Sequence, residues 1–199
     1  MGDAIIEASS RCAKTVPATN DYRIFVGAFP SGDLAERLQR VREQHDAKTA
    51  RITAPHITLA GTYWRSGPPT PANEAITIER LTALQDRLSP FELILGGIET
   101  FLPDVPVIYL QVETTPALLE VRRLLMEALG RDKHRYFTPH LTLTMRLPDE
   151  RTRVLLNELR QTDWHMQRFT QRLDHVWLMQ RGPRDPEWRY IQKIELRRV

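Results

Sequence analysis

Pro55-His56-Ile57-Thr58-Leu59 and Pro139-His140-Leu141-Thr142-Leu143 are one five-residue pattern written twice, the second histidine 84 positions after the first (140 − 56 = 84). A pattern this narrow turns up by chance in fewer than about one in a thousand chains of this length. Each copy has the signature of a β-strand: period-2 alternation, β-branched and aliphatic residues, and a proline that can only start or edge a strand. Alternation sets His56 and Thr58 on one face and Ile57 and Leu59 on the other. The second copy sorts the same way, His140 with Thr142 and Leu141 with Leu143. Two strands thus each offer an imidazole and a hydroxyl, while the aliphatic residues face a core.

The same offset aligns more than the histidines. Ile24-Phe25-Val26 falls on Ile108-Tyr109-Leu110, both inside apolar runs, Tyr22–Phe29 and Val105–Val112, that read as buried strands. Ser31 falls on Thr115, each placed to cap a helix, and Pro116 follows at a first helical position, where proline is tolerated. Leu34, Leu38 and Val41 form one helical stripe; Leu118, Leu119, Leu125, Ala128 and Leu129 form another, closed by Gly130. A strand–helix–strand unit is therefore duplicated without a gap. Further helices are expected over Glu74–Leu88 and Asp149–Arg160, and further strands over Phe91–Phe101, Phe169–Gln180 and Arg189–Leu196. Ser66–Ala72 and Arg181–Glu187 carry turn residues. The expected fold is α+β and bilobal: two mostly antiparallel sheets related by a pseudo-twofold, facing a central groove, with helices on their outer faces. A duplicated fold places its best pocket between the copies.

The chain has 199 residues, of which 41% are hydrophobic and 27% charged, ordinary for a globular protein with a real core. Residues 1–20 read as a flexible tail ahead of a single domain over 21–199. Met1–Thr19 lacks the apolar segment of a signal peptide, and Ile6 stands where a myristoylation signal needs Ser or Thr. No apolar run reaches the roughly 18 residues that span a bilayer. The one cysteine, Cys12, excludes an internal disulfide and fits a reducing cytoplasm, the expected location. A formal net charge of +3 is compatible with an anionic substrate. Basic residues gather at Arg131–Arg135 and among Arg181, Arg184, Arg189, Arg197 and Arg198, as phosphate-steering groups or as solvated faces.

Familiar catalytic patterns are missing. His45, His134, His165 and His175 fall in no zinc-ligand spacing, and there is no His-Glu-x-x-His, no Gly-x-Ser-x-Gly, no P-loop and no Gly-x-Gly-x-x-Gly. Metal-free acid–base chemistry by two imidazoles fits the pattern best, with no cofactor and no metal expected. Histidine's ordinary pKa near 6.5 lets one ring be neutral and its twin protonated near neutral pH. A neutral ring can take a proton from water while a protonated one supplies the departing oxygen, and threonine hydroxyls can donate to non-bridging phosphate oxygens.

With its paired His-x-Thr strands, its Tyr22-Arg23-Ile24-Phe25-Val26 opening, Ile108-Tyr109-Leu110, Phe137-Thr138 ahead of the second motif, and Val176-Trp177-Leu178 followed by Tyr190 and Ile194-Glu195-Leu196, the chain resembles the 2H phosphoesterase superfamily. Within it the likeness is closest to bacterial RNA 2′,3′-cyclic phosphodiesterases, historically called 2′–5′ RNA ligases, and covers Tyr22 to Arg198. The resemblance implies a bilobal α+β fold and metal-independent opening of a 2′,3′-cyclic phosphate on RNA termini or nucleotides, leaving a 2′-phosphate. By carry-over His56 and His140 are the acid/base pair and Thr58 and Thr142 bind phosphate; which histidine is the acid stays open. Some relatives act on 2′–5′ linkages or another small cyclic phosphate, or bind nucleotides without turnover, and these are the alternatives for this chain.

One departure is visible. Bacterial members often carry arginine five places after the second histidine, where this chain has Met145. Arg146 comes next, roughly 20 Å along an extended strand from His140, and is a candidate phosphate ligand only if the chain bends. Phe137, Tyr63 and Trp64 are candidates for stacking on a terminal base, or alternatively for packing. A monomer is expected, with no membrane partner.

Overall fold

The computed structural model describes residues 23–62, 71–130, 136–145 and 147–197. In chain order the elements are β1 (Arg23–Ala28), α1 (Gly32–Ile52), β2 (Ile57–Thr62), α2 (Pro71–Thr82), a short turn of 3-10 helix at Gln85–Arg87, β3 (Phe91–Thr100), β4 (Val107–Val112) and α3 (Pro116–Leu129). There follow β5 (His140–Met145), α4 (Asp149–Leu159), α5 (Asp163–Met166), β6 (Phe169–Leu173), β7 (His175–Arg181) and β8 (Arg189–Glu195). The expected tail with Cys12, the Arg131–Arg135 cluster, and Tyr63, Trp64 and Arg146 lie outside the described residues.

The α+β fold is as expected, and its two halves are continuous. The strands run β6-β3-β4-β5-β2-β1-β7-β8 in one sheet, every adjacent pair antiparallel. The four strands of each half meet their counterparts at β2 and β5, where one residue pair, Ile57 opposite Leu141, closes the sheet. The 84-residue offset continues beyond the motifs: α1 opens at Gly32 and α3 at Pro116, β3 at Phe91 and β7 at His175. The third strands change sides. β3 follows β2 in the chain but pairs with β4, while β7 pairs with β1. The helices change sides too, α1 packing on β5 and α3 on β2. The long run Phe169–Gln180 is broken at Asp174 into β6 and β7.

Local chemistry explains the elements. Thr115 caps α3 by accepting from the Leu118 N–H at 3.2 Å, Pro116 sits in the first turn, and Gly130 ends the helix at φ 94° with its N–H on the Met126 carbonyl. Ser31 occupies the cap position of α1, yet its hydroxyl turns to β6, where Gln171 Nε2 donates to it and the Ser31 N–H donates to Gln171 Oε1 at 3.0 Å. One face of each central strand enters a single core holding Ile24, Val26, Ile57, Leu59, Leu110, Leu141 and Leu143, against the α3 stripe Leu118, Val121, Leu124 and Leu125. Each such side chain stabilises the fold by about 1.5–3 kcal/mol. No helix among the described residues is long and apolar enough to cross a membrane.

Candidate active site

Ile57 and Leu141 face each other at the centre of the sheet, and both are fully buried. In an antiparallel pair the neighbours of such residues oppose one another in reverse order, on the other side of the sheet. His56 therefore lies across from Thr142, and Thr58 across from His140, with strands about 4.8 Å apart. The four side chains form a quartet on the face opposite the core, all half-buried where Leu59 and Leu143 are sealed. Among the described residues neither threonine hydroxyl has a hydrogen-bond partner.

The two rings are anchored alike. His56 Nδ1 is 2.9 Å from the carbonyl of Ala54, and His140 Nδ1 is 2.7 Å from that of Thr138, in each case two residues back. A carbonyl only accepts, so Nδ1 carries the proton in both rings and Nε2 is the atom that exchanges one. An aromatic residue from the neighbouring strand backs each ring, again at the 84-residue offset. Phe25 stacks on His56 at 4.8 Å and 29°, and Tyr109 leans on His140 at 5.2 Å and 60°. Phe29 adds a second stack to His56 at 5.4 Å, and Phe101 an edge contact to His140 at 4.9 Å.

Burial pushes the His56 pKa down to about 4, with the charges of Arg42 and His140 acting the same way and the Ala54 carbonyl acting against them. Arg42, only 1% exposed, is held beneath the first motif and is itself lowered to about 10 by desolvation. Its guanidinium donates to the carbonyls of Thr53 (2.8 Å) and Thr49 (3.3 Å) and to Gln39 Oε1 (3.2 Å). Asp46, one turn on, leaves helical geometry (φ −150°, ψ 67°) and kinks α1. Its carboxylate accepts from the Thr49 N–H at 3.0 Å, the Thr49 hydroxyl at 2.7 Å and, across the molecule, the Met145 N–H at the end of β5 at 2.8 Å. Arg42 and Asp46 therefore tie α1 to the strands of both motifs. Neither was singled out in the sequence. The only local hint is the i, i+4 spacing of an Arg and an Asp on one helix.

The two ends of the groove differ. Beside His56 the wall is apolar: Phe25 and Phe29 pack with Met179, Trp177 and Trp188. A Cβ on Gly27 would come within 2.6 Å of the Phe25 ring, so glycine there makes room for the stack. Beside His140 lies a cavity of about 360 Å³ lined by Tyr109, Gln111, Glu113, Phe137, Thr138 and Arg168 among others. Phe137, a candidate for stacking, is half-buried against the core, with the Arg122 guanidinium 4.0 Å above its ring, and also lines this cavity. Two of the basic residues near the C-terminus are engaged locally: Arg181 donates to the Asp185 carbonyl at 3.1 Å, and Arg189 lies 3.6 Å from the Asp185 carboxylate.

A curled antiparallel sheet with two His-x-Thr strands at its seam has the architecture of the two-histidine phosphoesterases. The profile of the 2′-5′ RNA ligase superfamily matches residues 30–185, and the chain belongs to that family. A Bacillus cytotoxicus protein provisionally named a phosphoesterase is 29% identical over 153 residues, covering 76% of this chain and 84% of that protein. One from Bacillus cereus, named likewise, is 27% identical over 155 residues, covering 77% and 87%. Among solved structures, Escherichia coli LigT complexed with ATP superposes with a TM-score of 0.59 at 19% identity, covering 87% of this chain and 97% of its own. A Thermus thermophilus protein, TT0787, gives 0.55 at 18%, covering 88% and 98%. These likenesses establish the fold, and the family supports phosphoester chemistry.

Proposed function

We propose that this protein hydrolyses 2′,3′-cyclic phosphates on RNA termini or nucleotides, leaving a 2′-phosphate, with His56 and His140 as the acid/base pair and Thr58 and Thr142 as phosphate ligands. The observation that carries this reading is the quartet at the sheet's seam, where each histidine faces the other motif's threonine. A phosphoryl group over the seam meets one imidazole Nε2 on each side and two hydroxyls below. The neutral ring takes a proton from water as its oxygen bonds to phosphorus. The P–O3′ bond breaks, and the protonated ring delivers its proton to O3′. The products are a 2′-phosphate and a free 3′-hydroxyl. A phosphate anion favours the charged form of either ring, so it opposes the burial that lowers the His56 pKa.

Incubation with a 2′,3′-cyclic nucleotide in EDTA should give product with a bell-shaped pH dependence. His56→Ala and His140→Ala should each lower kcat by about 10²–10⁴-fold. Wild-type turnover in both variants would overturn the assignment. A second reading, a nucleotide-binding module without turnover, draws on the LigT structures solved with ATP, 3′-AMP and NADP+ and on Met145 in place of an arginine. Tight binding of a nucleoside monophosphate with no cleavage of any cyclic or 2′–5′ substrate would favour it.

A further inference from the structure

The duplication is broken beside the histidines, at corresponding positions on β1 and β4 and just past each. Phe25, Gly27 and Phe29 on the face beside His56 become Tyr109, Gln111 and Glu113 beside His140, each 84 positions on. One end of the groove is filled by rings; the other is left open as the 360 Å³ cavity and furnished with hydrogen-bonding groups. Arg168 enters from the segment before β6. Among the described residues the side chains of Gln111, Glu113 and Arg168 make no hydrogen bond or ion pair, although all three border one cavity.

The floor has been cleared for them. Gly96 (φ +156°) and Gly97 (φ +81°) form an irregularity in β3 where its register against β4 shifts. A Cβ at Gly96 would sit 2.4 Å from the Gln167 carbonyl and 2.9 Å from Arg168 Cδ and Nη1. One at Gly97 would sit 2.8 Å from Gln111 Oε1. Glycine at 96 leaves room for the Gln167 backbone and the Arg168 side chain, and at 97 the φ of +81° favours glycine beside Gln111.

We propose that this cavity is a nucleobase subsite selective for guanine, with Glu113, Arg168 and Gln111 reading the base of the ribose whose phosphate sits on the quartet. The inference rests on the function proposed above. A carboxylate accepts from the N1–H and N2 amino group that guanine presents side by side. A guanidinium donates to its O6 and N7. Adenine and cytosine put a ring nitrogen lone pair where guanine has its N1–H, which repels Glu113. Uracil matches with one N–H and one carbonyl and ranks second. Phe137 lines the cavity beside these groups, and the cavity's volume suits a single base.

Equilibrium binding of the four nucleoside 2′-monophosphates to the full chain, set beside turnover of the four 2′,3′-cyclic nucleotides, tests this. Guanosine should bind on the order of tenfold tighter than adenosine or cytidine, with uridine between. Glu113→Gln and Arg168→Ala, checked for unchanged thermal unfolding, should collapse that ratio. Equal affinity for all four bases overturns the subsite while leaving cyclic-phosphate hydrolysis standing. Retained guanine preference without any turnover supports the subsite and overturns the hydrolytic reading. If Arg168→Ala weakens all four nucleotides and inorganic phosphate alike, Arg168 binds phosphate and the base reading falls.

Discussion

A histidine that gives one nitrogen to a backbone carbonyl can move a proton only through the other, and both catalytic candidates are fixed in this way. The difference between them lies in surroundings. With His56 held near 4, its ring is neutral over the physiological range. Its ring-proton NMR signal should therefore titrate well below that of an ordinary histidine in the free protein and move upward when a nucleoside monophosphate is added. An unshifted midpoint near 6.5 would contradict the burial argument. The same shift has a sign for stability. Between the unfolded value near 6.5 and the folded value near 4 the unfolded chain binds a proton that the folded chain refuses, so stability falls as pH drops through that window. Urea unfolding of His56→Asn should show a weaker loss between about pH 7 and about pH 4.5 than the unsubstituted protein. The alternation that puts these rings on one face was legible in the two short motifs, since it needs only period 2. Arg42 and Asp46 were not, because what makes them matter is a carboxylate meeting a backbone N–H 99 positions away.

At the scale of elements, the kink in α1 is where the two motifs are held together. Asp46 ends one helical stretch, starts the next by accepting from Thr49, and reaches outward to Met145, while Arg42 grips the carbonyl three residues before His56. With a single ladder pair between β2 and β5, this cross-tie is a further link between the two motif strands. Asp46→Ala should lower stability by about 1–3 kcal/mol in urea unfolding. It should also reduce kcat on a cyclic nucleotide more than it raises KM, with partial rescue by Asp46→Asn, which keeps one acceptor oxygen. Wild-type stability together with wild-type kcat in Asp46→Ala would remove Asp46 from any positioning role. The ends of α3 were readable, because Thr115, Pro116 and Gly130 act locally, whereas the helix expected over Glu74–Leu88 stops at Thr82 ahead of the 3-10 turn. The break at Asp174 was hidden in an unbroken strand-like run. The choice of partner for β3 was hidden too: an apolar strand carries no label saying which of two similar edges it will join.

For the molecule as a whole, the exchange of third strands matters more than the likeness of the halves. β3, made from the first repeat, is hydrogen-bonded between β4 and β6 of the second; β7, from the second, lies against β1 of the first. The linker between β3 and β4 passes through Pro103, Asp104 and Val105, all exposed. A protease site placed at Asp104 and cleaved in the folded protein should yield fragments that elute together under native conditions and still turn over substrate. Their separation into two inactive species would show that the exchange contributes little. The duplication itself was plain from the fixed 84-residue offset; its interlacing was not, because repeat sequences look the same whether their strands stay home or cross over. The crossing makes the polypeptide topologically redundant. One imidazole arrives on each piece, and neither piece can leave without stripping a strand from the other's sheet, so the two rings should stay opposed even where the backbone at that turn is cut.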